Sequence, residues 1–377
     1  MSAALLIVKS SIMATVTREN IGLLNDKLTV KVSKDDYLPT FEKTLKNYSK
    51  TVNIPGFRKG MVPAGMIKKM YGPSIFTDEI LKTVEKELYS YLGSEKPDIF
   101  AQPLALDADI RAMDVNNPAD YEFGFEIGLK PNFEVAPLDK AKLVNHIVKV
   151  TPEAIQEEIS KMQIKGSKTK LEEGVEATEA NVEKRELNEE FFNEVFPGQA
   201  IATEEEFRTK LREEIQSHWD AQSKNQLHDQ IYHYLIDNTK IEFPESFLKR
   251  WLQNGGEKPK TAEEAEAEFP IFSNQLKWTL ISDKLIKSNN LQVEQQELRD
   301  NMKNEVMRYF GSMSLGEDTS WLESYIDRMM KDEKQVESSY HRLLTEKLFN
   351  WAQENSKSTV KEVTGEELTA MQHNHQH

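Results

Sequence analysis

Two cations and an aromatic ring stand between helix breakers in Gly56-Phe57-Arg58-Lys59-Gly60, with Pro55 just before and Pro63 just after. Glycine and proline interrupt helices and permit tight or left-handed backbone, so Phe57, Arg58 and Lys59 are expected on an exposed loop. Lys68 and Lys69 follow, and no acidic residue falls between Asn53 and Gly72, in a 377-residue chain of formal net charge −15. A cationic tip is therefore set into an anionic protein. Guanidinium and ammonium groups neutralise phosphate, and a ring beside them stacks or buries, so the loop suits a surface that is part apolar and part phosphate. A plain solvated loop is the alternative, because basic loops bracketed by Gly and Pro are common.

No catalytic constellation stands beside this loop. The patterns G-x-x-x-x-G-K-[ST], G-x-S-x-G and H-E-x-x-H are absent. The chain has no cysteine, which excludes disulfides, thiolate metal sites and a cysteine nucleophile. No cofactor and no metal are expected, and any binding activity is expected to be independent of ATP. His218, His228 and His233 fall on one helical stretch, but 228 and 233 share a face poorly and read as surface residues. His373, His375 and His377 read as part of a polar tail rather than as a metal site. An isoelectric point near 5.2 argues against broad coating of nucleic acid. A second suggestive group is Met302, Met307, Met313, Met329 and Met330, with Phe310, Leu315 and Trp321 among them. Methionine is flexible and polarizable, so the group reads either as a helical core padded with Met or as a surface for varied apolar clients.

The elements that must position the loop can be read on both sides of it. Leu28, Val30 and Val32 alternate with polar residues as in a half-buried strand. A helix follows with Asp36 as N-cap and Leu38, Phe41, Leu45 and Tyr48 at helical spacing. After the loop, Pro63 opens a short helix that Gly72 closes, and a longer one runs from beyond Pro73 to about Leu92, stopped by Gly93. Tyr121, Phe123, Phe125, Ile127 and Leu129 share one face of a strand whose other face is only Glu and Gly. That stripe reads as core packing, with a peptide-binding edge as the alternative. The fold class is an α+β N-terminal domain followed by an elongated, mainly α-helical body with arm-like helices.

Gly56-Phe-Arg-Lys-Gly60 followed by Pro63, together with this order of elements, resembles the trigger factor family of bacterial ribosome-associated chaperones. Met61 stands where the family has a third cation. The resemblance extends to the helical stretch from Thr203 to Asn355, including Ile241-Glu-Phe-Pro-Glu-Ser246. It implies docking through Gly56, Phe57, Arg58, Lys59, Gly60, Lys68 and Lys69 on the large ribosomal subunit at the exit tunnel, on protein and rRNA. It implies shelter of nascent or unfolded polypeptides. The residues read for that contact from side-chain chemistry alone, as the weaker assignment, are Met302, Met307, Phe310, Met313, Leu315, Met329 and Met330, with a Met-padded core as the alternative. In the family an isomerase domain of the FK506-binding type is inserted after the helix begun at Thr151-Pro152. Here about eight residues separate the two flanks, far short of the ~40 a domain needs to fold alone, so the isomerase domain reads as missing and no enzyme activity is expected.

The expected boundaries are a ragged leader over 1–20, a ribosome-binding α+β domain over 21–131, a connector and first helix over 132–171, and a short link over 172–182. A helical chaperone domain follows over 183–355, and a polar flexible tail over 356–377. The leader lacks a cation before its short apolar run and is not a signal peptide, with Met13 an alternative start. No apolar run approaches the ~18 residues of a membrane span, and a cytoplasmic location is expected. Whether the free protein forms a homodimer is left open. A peptidyl-prolyl isomerase and a ribosome-independent holding chaperone are the competing readings.

Overall fold

The computed structural model describes residues 15–55, 57, 58, 60–107, 113–165, 183–255, 258–310 and 320–373. These form two compact units, one made of the chain up to Phe133 together with Ile241–Ser273, the other of Glu134–Lys240 together with the chain from Asn274.

In the first unit, β1 (Thr15–Gly22) turns through Leu23 and Leu24 into β2 (Asn25–Val32), and β2 pairs antiparallel with β4 (Tyr121–Gly128) along its length. The short β3 (Leu104–Ala105) completes a sheet of order β1-β2-β4-β3. Alternation sends Leu28, Val30 and Val32 to one face, where they are buried under α1 (Lys34–Thr51) and α2 (Ala64–Glu95). Tyr37 and Phe41 of α1 meet Phe76 of α2 edge to face, each with 5.3 Å between ring centroids. Phe123 and Ile127 join that core, with Tyr121, Phe125 and Leu129 packed on it, so the aromatic stripe of β4 is packing.

The other face of the sheet is covered too. Helix α6 (Glu245–Asn254) lays Phe247 on Gly128, so closely that a Cβ there would stand 2.2 Å from the ring. Glu126, on the face read as Glu and Gly only, is 1% exposed, ion-paired with Arg250 of α6 and accepting from Asn25 Nδ2 at 2.6 Å. The expected single helical domain over 183–355 is thereby corrected: Ile241–Ser273 belongs with the strands.

The leader expected over 1–20 is also shorter than read, because β1 begins at Thr15 and hydrogen-bonds to β2; residues before it lie outside the described ones. The α1 N-cap is Ser33, with Asp36 the partner whose Oδ2 accepts from the Ser33 N–H at 2.8 Å. The helices expected on either side of Gly72-Pro73 are one continuous helix. Proline costs it a single backbone bond, while Ile67 before and Ile75, Phe76 and Ile80 after are all buried, so packing outweighs the break. The α2 helix ends beyond Gly93, at Lys96 in left-handed conformation.

In the second unit, α3 (Pro152–Lys165), α4 (Glu189–Val195) and the first half of α5 (Glu204–Asn238) enclose Ile155, Ile159, Phe191, Phe192 and Phe207. A capping box starts α5 at Thr203, Glu206 N–H donating to Thr203 Oγ1 at 3.2 Å and Thr203 N–H to Glu206 Oε2 at 3.1 Å. The same device starts α7 (Ala262–Ser288), whose opening turns belong to the first unit: Thr261 and Glu264 bond reciprocally, so this acidic stretch is helical. Helices α8 (Gln295–Phe310), α9 (Ser320–Met329) and α10 (Glu333–Glu354) pack around Met302, Leu322 and Ile326.

The tail over 356–377 is a correction as well. Ser358–Glu362 forms β6, parallel to β5 (Leu143–Ile147), and Gly365–His373 forms α11. Leu368 and Val363 bury against Val148 beside Trp219, which anchors a segment whose composition reads as polar. The 172–182 link lies outside the described residues.

His228, expected at the surface, stacks on Phe349 of α10 with 4.5 Å between centroids, and its Nε2 is buried without a hydrogen-bond partner. Burial holds its pKa below the ordinary histidine value, helped by Lys224 and opposed by Glu346 and Asp229. A depressed folded value means the stabilisation is complete above the unfolded value near ~6.5 and is lost as pH falls through the folded one. His228→Phe is therefore expected to lose less stability than the wild type between pH 7 and pH 5, read from urea midpoints at each pH. His218 and His233 are exposed.

Candidate functional site

Helices α1 and α2 hold the basic loop from both sides. Val52 and Ile54 leaving α1, and Val62 and Ile67 entering α2, gather with Leu45 and Tyr71 into a small apolar cluster beneath it. Tyr48 and Tyr71 bring the two helices together, 5.0 Å between rings. Above this footing the backbone makes two successive turns, Phe57 N–H donating to Ile54 C=O at 3.1 Å and Met61 N–H to Arg58 C=O at 2.9 Å. Phe57 and Arg58 are consequently held outward, Phe57 36% exposed despite being an aromatic residue. Gly56 and Lys59 lie outside the described residues.

Gly60 has φ +81°, a left-handed conformation that a side chain disfavours. Gly60→Ala is expected to cost about 1 kcal/mol of stability through that backbone strain alone, since Lys50 C=O is 3.8 Å from the added Cβ and no clash results. Thermal unfolding checks the size.

Lys68 and Lys69 are exposed in the first two turns of α2, whose first turn has no acidic residue. The positive end of the helix macrodipole therefore lies beside the basic loop with no carboxylate in that turn to offset it. Met61, Met66 and Met70 are exposed on the same loop and turns, Met61 to 72%. In sequence Met61 stands out only as a missing cation; Met66 and Met70, one turn apart beside two lysines, are the signal that groups it with them. The tip thus combines apolar and cationic surface.

The second set does not assemble in the same manner. Met302 is fully buried in the α8–α9–α10 core, and Met329 and Met330 pack against that core, so Met302 is not presented to a partner. Met307 is exposed. Met313 and Leu315 lie outside the described residues, and the same holds for the side chain of Phe310. Among the described residues no group of three His, Asp or Glu side chains is placed to hold a metal ion, and no helix is long and apolar enough to cross a membrane.

Two family models match the chain, "Bacterial trigger factor protein (TF)" over residues 14–162 and "Probable trigger factor, C-terminal domain" over residues 223–372. Similar curated proteins include the trigger factor of Chlorobaculum tepidum, 24% identical over 360 residues that cover 74% of this chain and 84% of the relative. That of Chlorobium limicola is 24% identical over 405 residues, covering 84% of this chain and 94% of the relative. The second alignment runs over more positions than this chain supplies, so the relative carries inserted residues that this chain lacks. The trigger factor of Allorhizobium ampelinum is 32% identical over 158 residues, covering 41% of this chain and 32% of the relative. Among solved structures, one of the trigger factor chaperone, reported for promiscuous substrate recognition in folding and assembly, matches with a TM-score of 0.55. It is 12% identical and covers 90% of this chain and 100% of that one, a likeness of fold.

Proposed function

Since this chain belongs to the trigger factor family, we propose that its basic loop is the part that docks it on the ribosome. The protein is an ATP-independent, ribosome-associated chaperone that docks near the polypeptide exit tunnel and shields apolar segments of nascent chains. Within that function, Phe57, Arg58 and Lys59 make the contact, Gly56 and Gly60 shape the loop, and Lys68 and Lys69 extend its charge along α2. The observation that carries this assignment is an outward ring and guanidinium held on a buried footing in a chain that is otherwise anionic. The cations meet rRNA phosphate, while Phe57 and the exposed methionines meet apolar protein surface beside it.

Acidic surface elsewhere repels the polyanionic ribosome and keeps the body soluble, which restricts attachment to the tip. Cytoplasmic location goes with that partner. Self-association of the free protein would cover the same apolar residues, and sedimentation without ribosomes reads it. Among the described side chains of the methionine set, exposed Met307 is the one available as a client contact.

No isomerase activity is proposed for this chain, because the matched family regions are the N-terminal and C-terminal ones and the flanks of the expected insertion nearly meet in sequence. In a proline-limited refolding assay, catalytic amounts of the protein are expected to leave the slow phase unchanged; acceleration would overturn this part. Pelleting with purified ribosomes at low salt tests the docking itself. Retention in the supernatant would favour a ribosome-independent holding chaperone.

A further inference from the structure

The two-stranded sheet of the second unit has one covered edge and one open edge. On the β5 side, Val144 N–H donates to Gln230 Oε1 at 2.9 Å and Val144 C=O accepts from Gln230 Nε2 at 2.8 Å. Gln216 repeats the arrangement, accepting from Val150 N–H at 3.2 Å and donating to Val148 C=O at 2.8 Å. Side-chain amides of α5 thus occupy the place of a third strand. On the β6 side, Val363 N–H donates to Ile147 C=O at 3.0 Å in the register that pairs Ile147 with Glu362. The alternation of a parallel ladder then turns Thr359, Lys361 and Val363 toward β5, and the peptide groups of Ser358, Val360 and Glu362 away from it. No described group bonds to those outward peptide groups, and all five residues of β6 are exposed.

A cleft of about 1340 Å³ begins where this strand ends, with Glu362 and Val363 in its wall. Met162, Phe196, Ile215 and Trp219 give it an apolar lining, and Glu157, Glu158, Glu214, Glu362, Glu366 and Glu367 an acidic one. Of the two lysines there, Lys149 is paired with Glu362 at 2.6 Å and Lys161 with Glu157 at 2.8 Å, which leaves the cleft negative.

We propose that the open edge of β6 accepts an extended, net-cationic stretch of unfolded polypeptide as a third strand, the bound chain running on over the acidic cleft. The proposal rests on the chaperone reading and specifies how a client is gripped. Main-chain pairing is indifferent to sequence, so it serves many clients, while the cleft adds a preference for apolar side chains flanked by Lys or Arg. β6 is short and carries Lys361, which discourages sheet-to-sheet aggregation yet leaves room for one strand.

The test uses the full chain and a fluorescein-labelled decapeptide of alternating valine and lysine. On saturation, amide exchange at Val360 and Glu362 is expected to slow by about tenfold or more, and full N-methylation of the peptide to weaken binding by about tenfold, the equivalent of one or two lost hydrogen bonds. Val360→Pro, which removes an outward N–H and spares the bonds to β5, is expected to weaken binding similarly. Glu214→Gln with Glu366→Gln should flatten the salt dependence. Unchanged exchange at the two amides, or equal binding of the N-methylated peptide, overturns the proposal. So does protection of the same amides by rising protein concentration alone, which would assign the edge to a second copy. Suppression of aggregation of a heat-unfolded enzyme separates the failures: if it persists while the edge results fail, only the edge assignment falls; if it is absent, the chaperone reading falls as well.

Discussion

Arg250→Ala is expected to lower the unfolding free energy of the strand-containing unit by about 3 kcal/mol, the low end for breaking a buried ion pair. The partner left behind is Glu126, whose side chain is 1% exposed on the sheet face under α6. With Arg250 gone, its carboxylate keeps Asn25 Nδ2 at 2.6 Å but no counter-charge. The Arg250 side chain is itself 45% exposed, so water can reach part of the space it vacates, which is why the upper end is not expected. Urea titration followed by Trp251 fluorescence, on the same helix, measures the loss. The double variant Glu126→Gln with Arg250→Met is expected to recover most of it, because no charge then remains to be buried. A loss below about 0.5 kcal/mol in Arg250→Ala, the scale of an exposed pair, would mean that Glu126 is solvated and that α6 does not seal the sheet.

That helix marks where reading the sequence succeeded and where it stopped. Its start at Pro244-Glu245 and its end at Asn254-Gly255 lie at local signals, a proline ahead of the first turn and a glycine past the last. Which body α6 packs on is not a local property: its only trace is Gly128 and Glu126 on the second face of β4, which read as a solvent face until Phe247 and Arg250 cover it. The break assigned at Gly72-Pro73 failed for a related reason, since buried Ile67, Ile75 and Phe76 on both sides outweigh one lost backbone bond. Thr261-Ala-Glu-Glu264 carries the same cap pattern as Thr203-Glu-Glu-Glu206 and was legible in principle; Pro270 and the acidic composition masked it. The C-terminal strand and helix could not be read because β6 pairs with residues more than two hundred positions earlier and buries none of its own side chains.

The exposure of the basic loop was the most legible feature, since Gly, Pro, ring and cation are adjacent in sequence and no distant packing is needed to expose Phe57 and Arg58. The methionines show the limit of composition. Met302 and Met61 are chemically alike, one fully buried and the other 72% exposed, and only the fold distinguishes them.

Phe57→Ala, Arg58→Ala and Lys59→Ala together are expected to have the second large effect, a loss of ribosome association of at least tenfold at low salt with the thermal midpoint unchanged. Phe57 and Arg58 are exposed, and the apolar cluster that holds the loop contains none of the three. Four cations, Arg58, Lys59, Lys68 and Lys69, give a log–log slope of affinity on salt of roughly −3 if all four face phosphate, and removing two should halve it.

Co-sedimentation of the wild type and this triple variant with purified ribosomes across a salt series therefore tests the tether most directly. The expected result is steeply salt-dependent pelleting of the wild type and weak, shallow pelleting of the variant. Equal pelleting of the two proteins at every salt concentration would contradict the assignment of the loop as the point of attachment.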